Sequence, residues 1–411
     1  MRVALIGNMN NNFFSIMRYL RDLGVDAHLF MYEKEYDHFK PEKDTFQIEK
    51  YSEYIHVLSI IPSVKGLFFL DKDKIKRELN GYDIYIGCGL APAIFFKLGM
   101  TLDIIIPHDD GIEYTFYSKI LGNNFFTALS RRYVVDLQLK GLQNNTTKII
   151  ASAIQKITND TLSKFNLYDK LIKKYLLMVY TEEYKDTELN PIVESMKNKD
   201  VVVFCHTRHL WREESMVEDY IIEDGGKALD KLILGFSHFI KNNPDTKALL
   251  LFFEYGSDVD DSKALIAKYG IEKYVQWLPL MARRDILQLI DYSDIVVDSL
   301  GAGMWGGVGW EGLSRGKILM QNIIQSDEEY YNEMGHPLPF IMRANSADNA
   351  EKHLTDFIND RAFFSDKAKD NQAWFNQYAG IGLAKEYKEL IEGLFQEKYH
   401  GELSLSRVIR N

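Results

Sequence analysis

The sequence predicts an α/β protein built from two doubly wound parallel sheets, one in each half of the chain. Short apolar runs alternate with amphipathic helical patterns along most of the 411 residues. A charged, non-periodic stretch at 181–200 interrupts this alternation and separates the halves. Polar or glycine-rich loops follow several of the apolar runs, and ligands of doubly wound sheets bind beyond the carboxyl ends of the strands. We therefore expect two domains that face a cleft.

The first half contains five apolar runs that predict strands. Between the first two runs, residues 14–23 have the pattern of an amphipathic helix that ends at Gly24. One more run, 148–151, is a candidate for a further strand. The five strands are predicted at 3–6, 27–31, 55–58, 84–87 and 103–107.

The second half repeats this organisation. Helices are predicted between its strands at about 228–241, 260–269 and 283–292, and the chain from 346 to 397 has a helical pattern with aromatic anchors. We predict an N-terminal domain at 1–184, a second domain at 185–370 and a helical tail at 371–411 that packs back toward the N-terminal domain. The strands of the second half are predicted at 201–205, 248–253, 275–278, 295–297 and 318–321.

Composition excludes several classes of protein. The formal net charge of −10 argues against nucleic acid as the main partner. The two cysteines, Cys88 and Cys205, lie in apolar runs, which argues against a disulfide framework and fits a reducing cytoplasm. The start, MRVALIGN, resembles a strand and a polar loop rather than a signal peptide. Since no run of 18 apolar residues exists, we expect no spanning helix and a cytoplasmic location.

Charge is unevenly distributed along the chain. Residues 119–174 contain ten Lys and Arg but three Asp and no Glu, and Phe125, Phe126 and Leu129 lie among them. A basic amphipathic surface of this kind can bind anionic lipid at the inner face of a membrane. The alternative is an ordinary solvated helix with a normal core face. Both interpretations stay open at this point.

The most informative loop is DSLGAGMWGGVGWEGLSRGK, residues 298–317. An apolar run at 295–297 precedes it, and the segment around Glu311 has the pattern of a helix start. Glycines let a backbone approach a ligand closely, and the amides at a helix start favour an anion. Glu311 is well placed to accept hydrogen bonds from sugar hydroxyls. A flexible turn is the alternative interpretation, and the flanking strand and acid favour a ligand loop.

Three further loops follow predicted strands. The loop after the first strand contains Asn8, Asn10 and Asn11, which suit helix capping or the recognition of hydroxyls, and it lacks the spacing of a dinucleotide site. His108 and Asp109 follow the run at 104–106 and are candidates for a donor, acceptor or base. The alternative is a turn in which Asp109 or Asp110 caps the segment that follows.

Two cations complete the candidate set. Arg208 follows the strand at 201–205, and Lys227 opens the helix after it. A lysine at a helix start opposes the helix dipole, which favours ligand binding over a stabilising role, although a solvated lysine is the more common case for a lone example. The pair suits a diphosphate. No histidine or carboxylate spacing indicates a metal site.

In order, these loops resemble the retaining GT-B glycosyltransferases of the large group-1 family. The resemblance covers most of 186–321. It rests on Arg208 and on four segments: KALDKLILGF, which begins at Lys227; YVQWLP, which contains Leu278; SDIVVDS; and WGGVGWEGLSRGK. The family's Glu-x7-Glu pair is incomplete here, since Gly303 stands at the first position and Glu311 at the second.

The resemblance implies transfer of a sugar from a nucleoside diphosphate, UDP foremost, to a glycan or lipid-linked hydroxyl acceptor with retention, without metal or cofactor. Glu311 would hold the ribose, and Arg208, Lys227 and the amides at 303–306 would stabilise the leaving diphosphate. His108 would point toward the sugar and acceptor. The donor side would include Leu278, Gly303, Met304, Trp305 and Gly306, and the acceptor side Asn8, Asn10, Asn11 and Asp109.

Three rival interpretations remain. A sugar-nucleotide epimerase shares the two-domain architecture, and a nucleotide-sugar binder without activity is compatible with Gly303 in place of an acid. A two-lobed solute-binding protein fits the alternation, although the expected absence of a signal peptide argues against it.

Overall fold

The computed structural model describes residues 1–107, 111–112, 115–116, 125–151, 156–181, 188–212, 226–301, 303 and 306–401. It confirms the predicted fold class, because the chain forms two α/β units that each contain a parallel sheet. The first unit comprises Met1–Tyr180 together with the chain from Ala379 onward, and the second comprises Thr181–Tyr378.

The sheet of the first unit has seven parallel strands within the described residues, in the order β3-β2-β1-β4-β5-β6-β7. The central strand β1 is buried from its second residue onward, which is typical of a sheet covered by helices on both faces. The strands are β1 (Arg2–Ile6), β2 (Asp26–Tyr32), β3 (Ile55–Leu58), β4 (Ile84–Gly87), β5 (Leu102–Ile105), β6 (Thr146–Ala151) and β7 (Leu171–Lys173).

Helices of the first unit connect these strands, and one more returns from the end of the chain. Helix α1 begins two residues before the predicted start at 14 and buries most of its length. The helices are α1 (Asn12–Asp22), α2 (Val64–Phe68), α3 (Lys72–Glu78), α4 (Ala91–Leu98), α5 (Phe125–Lys140), α6 (Lys156–Lys164) and the C-terminal helix (Ile381–His400).

The second sheet has six parallel strands within the described residues, in the order β10-β9-β8-β11-β12-β13. They are β8 (Val201–Cys205), β9 (Ala248–Phe253), β10 (Val275–Leu278), β11 (Ile295–Val297), β12 (Ile318–Gln321) and β13 (Ile341–Arg343). Its helices are α7 (Val193–Met196), α8 (Leu229–Asn242), α9 (Val259–Tyr269), α10 (Arg283–Asp291), α11 (Gly307–Ser314), α12 (Asp327–Met334), α13 (Ala347–Asn359) and α14 (Arg361–Tyr378). We label the C-terminal helix of the first unit α15.

Two strands of the structure were absent from the sequence-based prediction. These are β7 and β13, which have three residues each and pair with one neighbour at a sheet edge. A run of three residues with a charge at its end carries almost no periodic signal. Their strand conformation therefore depends on pairing with the neighbouring strands, β6 and β12, rather than on a local sequence pattern.

Helix α15 belongs to the first unit, although the second unit, about 200 residues long, separates it in sequence from the rest of the first unit. The hydroxyl of the buried Tyr387 donates to the carbonyl oxygen of Tyr175 at 2.7 Å. Lys398 lies 3.1 Å from the buried carboxylate of Asp103 at the start of β5. Among the described residues, no helix is both long and apolar enough to cross a bilayer.

Candidate functional site

The carboxyl edge of the second sheet brings together two loops with charged residues. Strands β8 and β11 are parallel neighbours, so the residues that follow Cys205 and Val297 emerge at the same edge. Those residues are His206 and Asp298, and both are buried. The edge is also where ligands bind in doubly wound sheets.

A buried ionic cluster joins Glu311 on α11 to the ends of two other elements. One carboxylate oxygen of Glu311 lies 2.6 Å from His206 Nε2, and the other accepts a hydrogen bond from Arg283 Nε at 2.8 Å. Since a carboxylate only accepts, the His206 ring donates through Nε2. Arg283, Glu311 and His206 therefore form one network at the sheet edge.

Electrostatics keep Glu311 ionised. Burial alone raises the pKa of this carboxyl, but the hydrogen bonds and charges of His206 and Arg283 outweigh burial and lower the pKa to about 2. Within the described part of the chain, His206 Nδ1 is buried and has no hydrogen-bond partner. A buried polar atom of this kind marks a site where a further polar group can bind.

A second buried acid, Asp298, caps the helix that carries Glu311. Its Oδ2 atom accepts hydrogen bonds from the amides of Gly306 at 2.6 Å and Gly309 at 3.1 Å. Its Oδ1 atom lies 3.8 Å from Lys227 Nζ, an ion pair longer than a hydrogen bond. The resemblance assigns the Gly306 amide to a diphosphate, but in the structure this amide donates to Asp298 Oδ2.

Lys227 is fixed at this edge through its backbone. Its amide donates to the carbonyl of Leu210, and its own carbonyl accepts from Leu300 at 3.2 Å. The side chain is 27% exposed, so the ammonium group reaches solvent beside Asp298. The structure therefore places Lys227 next to the start of α11.

Arg208 is exposed, in the loop between the buried residues Thr207 and His209. This loop is anchored by a close backbone approach to Gly256, whose φ is +117° and where a Cβ would lie 2.2 Å from the His209 carbonyl oxygen. The His209 amide also donates to the carbonyl of Tyr255 at 2.7 Å. Arg208 thus lies in a loop after β8 that backbone contacts of His209 hold against Tyr255 and Gly256.

Several proteins of known structure share this architecture. HepE of Anabaena, solved in complex with UDP-glucose, superimposes with a TM-score of 0.61 at 15% identity over 96% of this chain and 100% of that chain. A glycosyltransferase from Rickettsia africae gives 0.58 at 16% identity over 98% and 99%. A putative UDP-N-acetylglucosamine 2-epimerase from Listeria monocytogenes gives 0.55 at 14% identity over 97% of each.

The fold is GT-B. No protein-family model and no curated protein sequence matches the chain. Because the identities are low, the likeness establishes the fold and leaves the activity to be argued from the residues.

Leu278 and Gly303 are further donor-side predictions that lie in the described part of the second unit. Leu278 is buried at the end of β10. At Gly303 a Cβ would lie 2.4 Å from the Cδ1 atom of Ile324, a side chain that is 75% exposed. Met304 and Trp305 lie outside the described residues.

The predicted acceptor-side asparagines lie in the first unit of the GT-B fold. Asn8 and Asn11 are buried, and the Asn8 amide donates to Asn11 Oδ1 at 2.8 Å while its oxygen accepts from the amide of Phe14. Asn10 is partly buried with a φ of 50°. The two buried side chains hold the entry to α1, and their contact with an acceptor stays a prediction. His108 and Asp109 lie outside the described residues.

Sequence reasoning missed His206, Arg283 and Asp298 as members of the site. One signal was available for Arg283, because it begins α10 and a cation at a helix start opposes the helix dipole, as at Lys227. Asp298 carries no such signal, since an acid after a strand is common. In the described part of the chain, no group of three or more His, Cys, Asp and Glu is placed to hold a metal ion.

Proposed function

We propose that this protein is a glycosyltransferase that moves a sugar from a nucleoside diphosphate, UDP foremost, to a hydroxyl acceptor on a glycan or lipid-linked precursor. The observation that carries the proposal is the position of Lys227 beside Asp298 and the start of α11 at the carboxyl edge of the second sheet, with the exposed Arg208 in the loop that follows β8 at that edge. This arrangement suits a diphosphate, since two cations at a strand end favour a dianion. The GT-B fold and the UDP-bound structures of HepE support it.

The chemistry follows from where charge develops. The bond between the anomeric carbon and the diphosphate oxygen breaks, and the acceptor hydroxyl forms the new bond to that carbon, with retention of configuration. Negative charge grows on the leaving diphosphate, where Arg208 and Lys227 would stabilise it. The acceptor proton ends on the leaving phosphate or on a base, for which His108 is our candidate.

Glu311 would bind the ribose hydroxyls. Its low pKa supports this role, because an ionised carboxylate accepts stronger hydrogen bonds than a neutral one. Both its oxygens already contact His206 and Arg283, and each carboxylate oxygen has a second lone pair for a hydroxyl. The network would hold the carboxylate in one orientation before the nucleotide arrives.

Calorimetry with UDP, GDP and TDP, followed by incubation with the matching radiolabelled sugar nucleotides, tests the proposal. We expect UDP to bind most tightly and label to move from the donor to a glycan or lipid-linked acceptor. Conversion of the sugar without an acceptor would instead indicate an epimerase, the activity ascribed to the Listeria protein. Binding without any product would indicate a silent binder.

The proposal includes metal independence, and no cofactor besides the donor is invoked. EDTA should leave the rate of transfer unchanged, since Arg208 and Lys227 supply the positive charge that a metal would otherwise provide. Loss of activity in EDTA with rescue by Mg²⁺ or Mn²⁺ would contradict this part of the mechanism.

A further inference from the structure

A pair of consecutive phenylalanines projects from the first unit at the end of α2. The side chains of Phe68 and Phe69 are 64% and 72% exposed, and their rings meet edge to face at 5.0 Å between centroids. Exposure of two adjacent aromatic rings to water costs free energy relative to their burial, and exposed apolar clusters of this kind mark interaction surfaces.

The local structure holds this pair outward. Helix α2 begins with a cap in which Ser63 Oγ accepts from the Gly66 amide at 3.1 Å. At its other end the ammonium of Lys97 binds the carbonyl of Leu67 and lies 3.2 Å from the Tyr133 hydroxyl on α5. Gly66 is seated so closely that a Cβ would lie 1.9 Å from the Ile61 carbonyl oxygen. The helix is thus fixed on its support.

Phe68 borders a groove between α2 and α5 with a volume of about 830 Å³. Its walls include Val64, Phe68, Leu129 and Tyr133, and Leu129 is 55% exposed. An apolar groove beside an exposed aromatic pair can receive a hydrocarbon chain or the side of another apolar molecule.

The charged residues beside the groove favour an anionic occupant. Arg132 lines the groove and is exposed, and Lys65 is exposed on α2 next to Val64. The acid in the lining, Asp136, is bridged to Lys140 at 2.7 Å. Residues 125–174 carry nine Lys and Arg against three Asp, whereas the whole chain has a net charge of −10. Because Asp136 is paired, the exposed Lys65 and Arg132 leave the rim of this groove positive on a chain of negative net charge, and such a rim is complementary to an anionic partner.

From these observations we infer that the α2–α5 surface, consisting of Lys65, Phe68, Phe69, Leu129 and Arg132, docks on an anionic lipid bilayer. Aromatic rings favour the bilayer interface, where an apolar body and a polar boundary coexist. Basic side chains beside them gain attraction from the negative surface potential. The inference stands apart from the proposed function, since it concerns a surface that the donor-side residues do not share.

Co-sedimentation with vesicles tests the docking surface. The full chain should bind vesicles of phosphatidylcholine with 30% phosphatidylglycerol, bind vesicles of phosphatidylcholine alone much more weakly, and be released at high salt. In Lys65→Ala/Arg132→Ala, binding to the anionic vesicles should fall roughly 10- to 30-fold, as about 1 kcal/mol for each cation implies. In Phe68→Ser/Phe69→Ser it should fall roughly 10- to 100-fold, because two rings no longer enter the interface.

Matched controls separate docking from general effects. Lys241→Ala/Lys268→Ala removes the same number of exposed cations from the second unit, and Tyr331→Ser removes an aromatic ring that is 54% exposed there. Both controls should bind anionic vesicles as the wild type does. Far-ultraviolet circular dichroism and UDP calorimetry report whether each variant remains folded, independently of lipid.

Three outcomes would overturn the inference. The first is failure of the wild type to bind anionic vesicles. The second is a loss of vesicle binding in the control variants that equals the loss in the variants of the α2–α5 surface. The third is a change of oligomeric state in Phe68→Ser/Phe69→Ser with unchanged vesicle binding, which would assign the surface to a second copy of the chain. Since vesicle binding needs no sugar donor, these results are distinguishable from a failure of the proposed glycosyltransferase activity.

Discussion

At the scale of single residues, Glu311 combines a structural and a proposed binding role. Its two oxygens contact His206 and Arg283 in a buried network, and removal of the charge breaks the ion pair with Arg283. Loss of one partner of a buried ion pair is strongly destabilising, typically by about 3–5 kcal/mol. Any binding experiment on Glu311 therefore needs a variant in which the pair is removed together.

The first prediction is that Glu311 recognises the ribose. The wild type should bind UDP more tightly than 2′,3′-dideoxy-UDP by about 2–4 kcal/mol, because the deoxy compound lacks the hydroxyls that donate to a charged acceptor. In Glu311→Gln/Arg283→Met, which removes the ion pair as a unit, this difference should shrink to about 1 kcal/mol or less. An undiminished difference, measured by calorimetry on folded protein, would make Glu311 a purely structural residue.

The second prediction concerns the diphosphate. Arg208→Ala and Lys227→Ala should each weaken UDP binding roughly ten- to a hundredfold, since a charge-assisted contact is worth about 1.5–3 kcal/mol. Uridine, which lacks the phosphates, should bind all variants alike. Lys241→Ala at the far end of α8 is the control and should bind UDP normally. If Arg208→Ala and Lys227→Ala retain wild-type affinity for UDP, these residues do not contact the diphosphate.

The third prediction is a pH dependence of stability from His209. Burial lowers the pKa of His209 to about 4, against an opposing effect of Asp258. The folded state therefore disfavours protonation, so the contribution is complete above pH 6.5 and is lost as the pH falls from 6.5 to about 4. The loss amounts to about 3 kcal/mol. Urea unfolding across this range should show a shallower pH slope in His209→Gln, and an unchanged slope would contradict the assignment.

At the scale of elements, the contact between α8 and α13 depends on the absence of a side chain at Gly235. A Cβ there would lie 2.5 Å from the Ala347 carbonyl oxygen and 2.8 Å from the Ala350 Cβ. Because backbone atoms cannot turn away as a side chain can, the two helices would have to separate. This contact helps to position α8, whose start lies beside Lys227.

The fourth prediction follows from this contact. Gly235→Ala should lower the free energy of unfolding by up to about 2 kcal/mol, because an overpacking cost of about 1–3 kcal/mol opposes a helix-propensity gain of about 1 kcal/mol. Gly307→Ala, where no atom lies within 4 Å of the new Cβ, should be neutral or slightly stabilising. Denaturant titration of both variants makes the comparison. Equal stabilities would show that α8 and α13 separate at no cost.

At the scale of the whole molecule, helix α15 follows the second unit in sequence but belongs to the first unit. The side chain of Tyr387 on α15 is fully buried, whereas Tyr399 on the same helix is 50% exposed. The two tyrosines therefore test whether the return of the chain stabilises the first unit or merely covers it.

The fifth prediction is that Tyr387→Ala destabilises the first unit by about 3–5 kcal/mol, the usual cost of removing a buried aromatic side chain. Tyr399→Ala should stay within about 0.5 kcal/mol of the wild type. Hydrogen exchange of the β1 and β4 amides reports the first unit specifically. Protection factors in Tyr387→Ala that equal those of the wild type would show that α15 contributes little to that unit.

Much of the architecture was predictable from the sequence. Strands such as β8, β9 and β11 were predicted with the bounds that the structure gives them, because each is a continuous apolar run followed by a polar loop. The two-sheet α/β class followed from the same alternation. Local periodicity determines which face of an element is apolar, and burial of that face fixes the element.

Tertiary structure alone decided the partners of the charged residues. The sequence separates His206 from Glu311 by about a hundred residues, and their hydrogen bond exists because β8 and β11 are neighbours in a sheet whose order differs from the chain order. The use of Asp298 as the cap of α11 and the burial of Tyr387 against Tyr175 have the same origin. Local pattern encodes what a segment becomes, whereas contacts between distant segments depend on how the strands are ordered in the sheet.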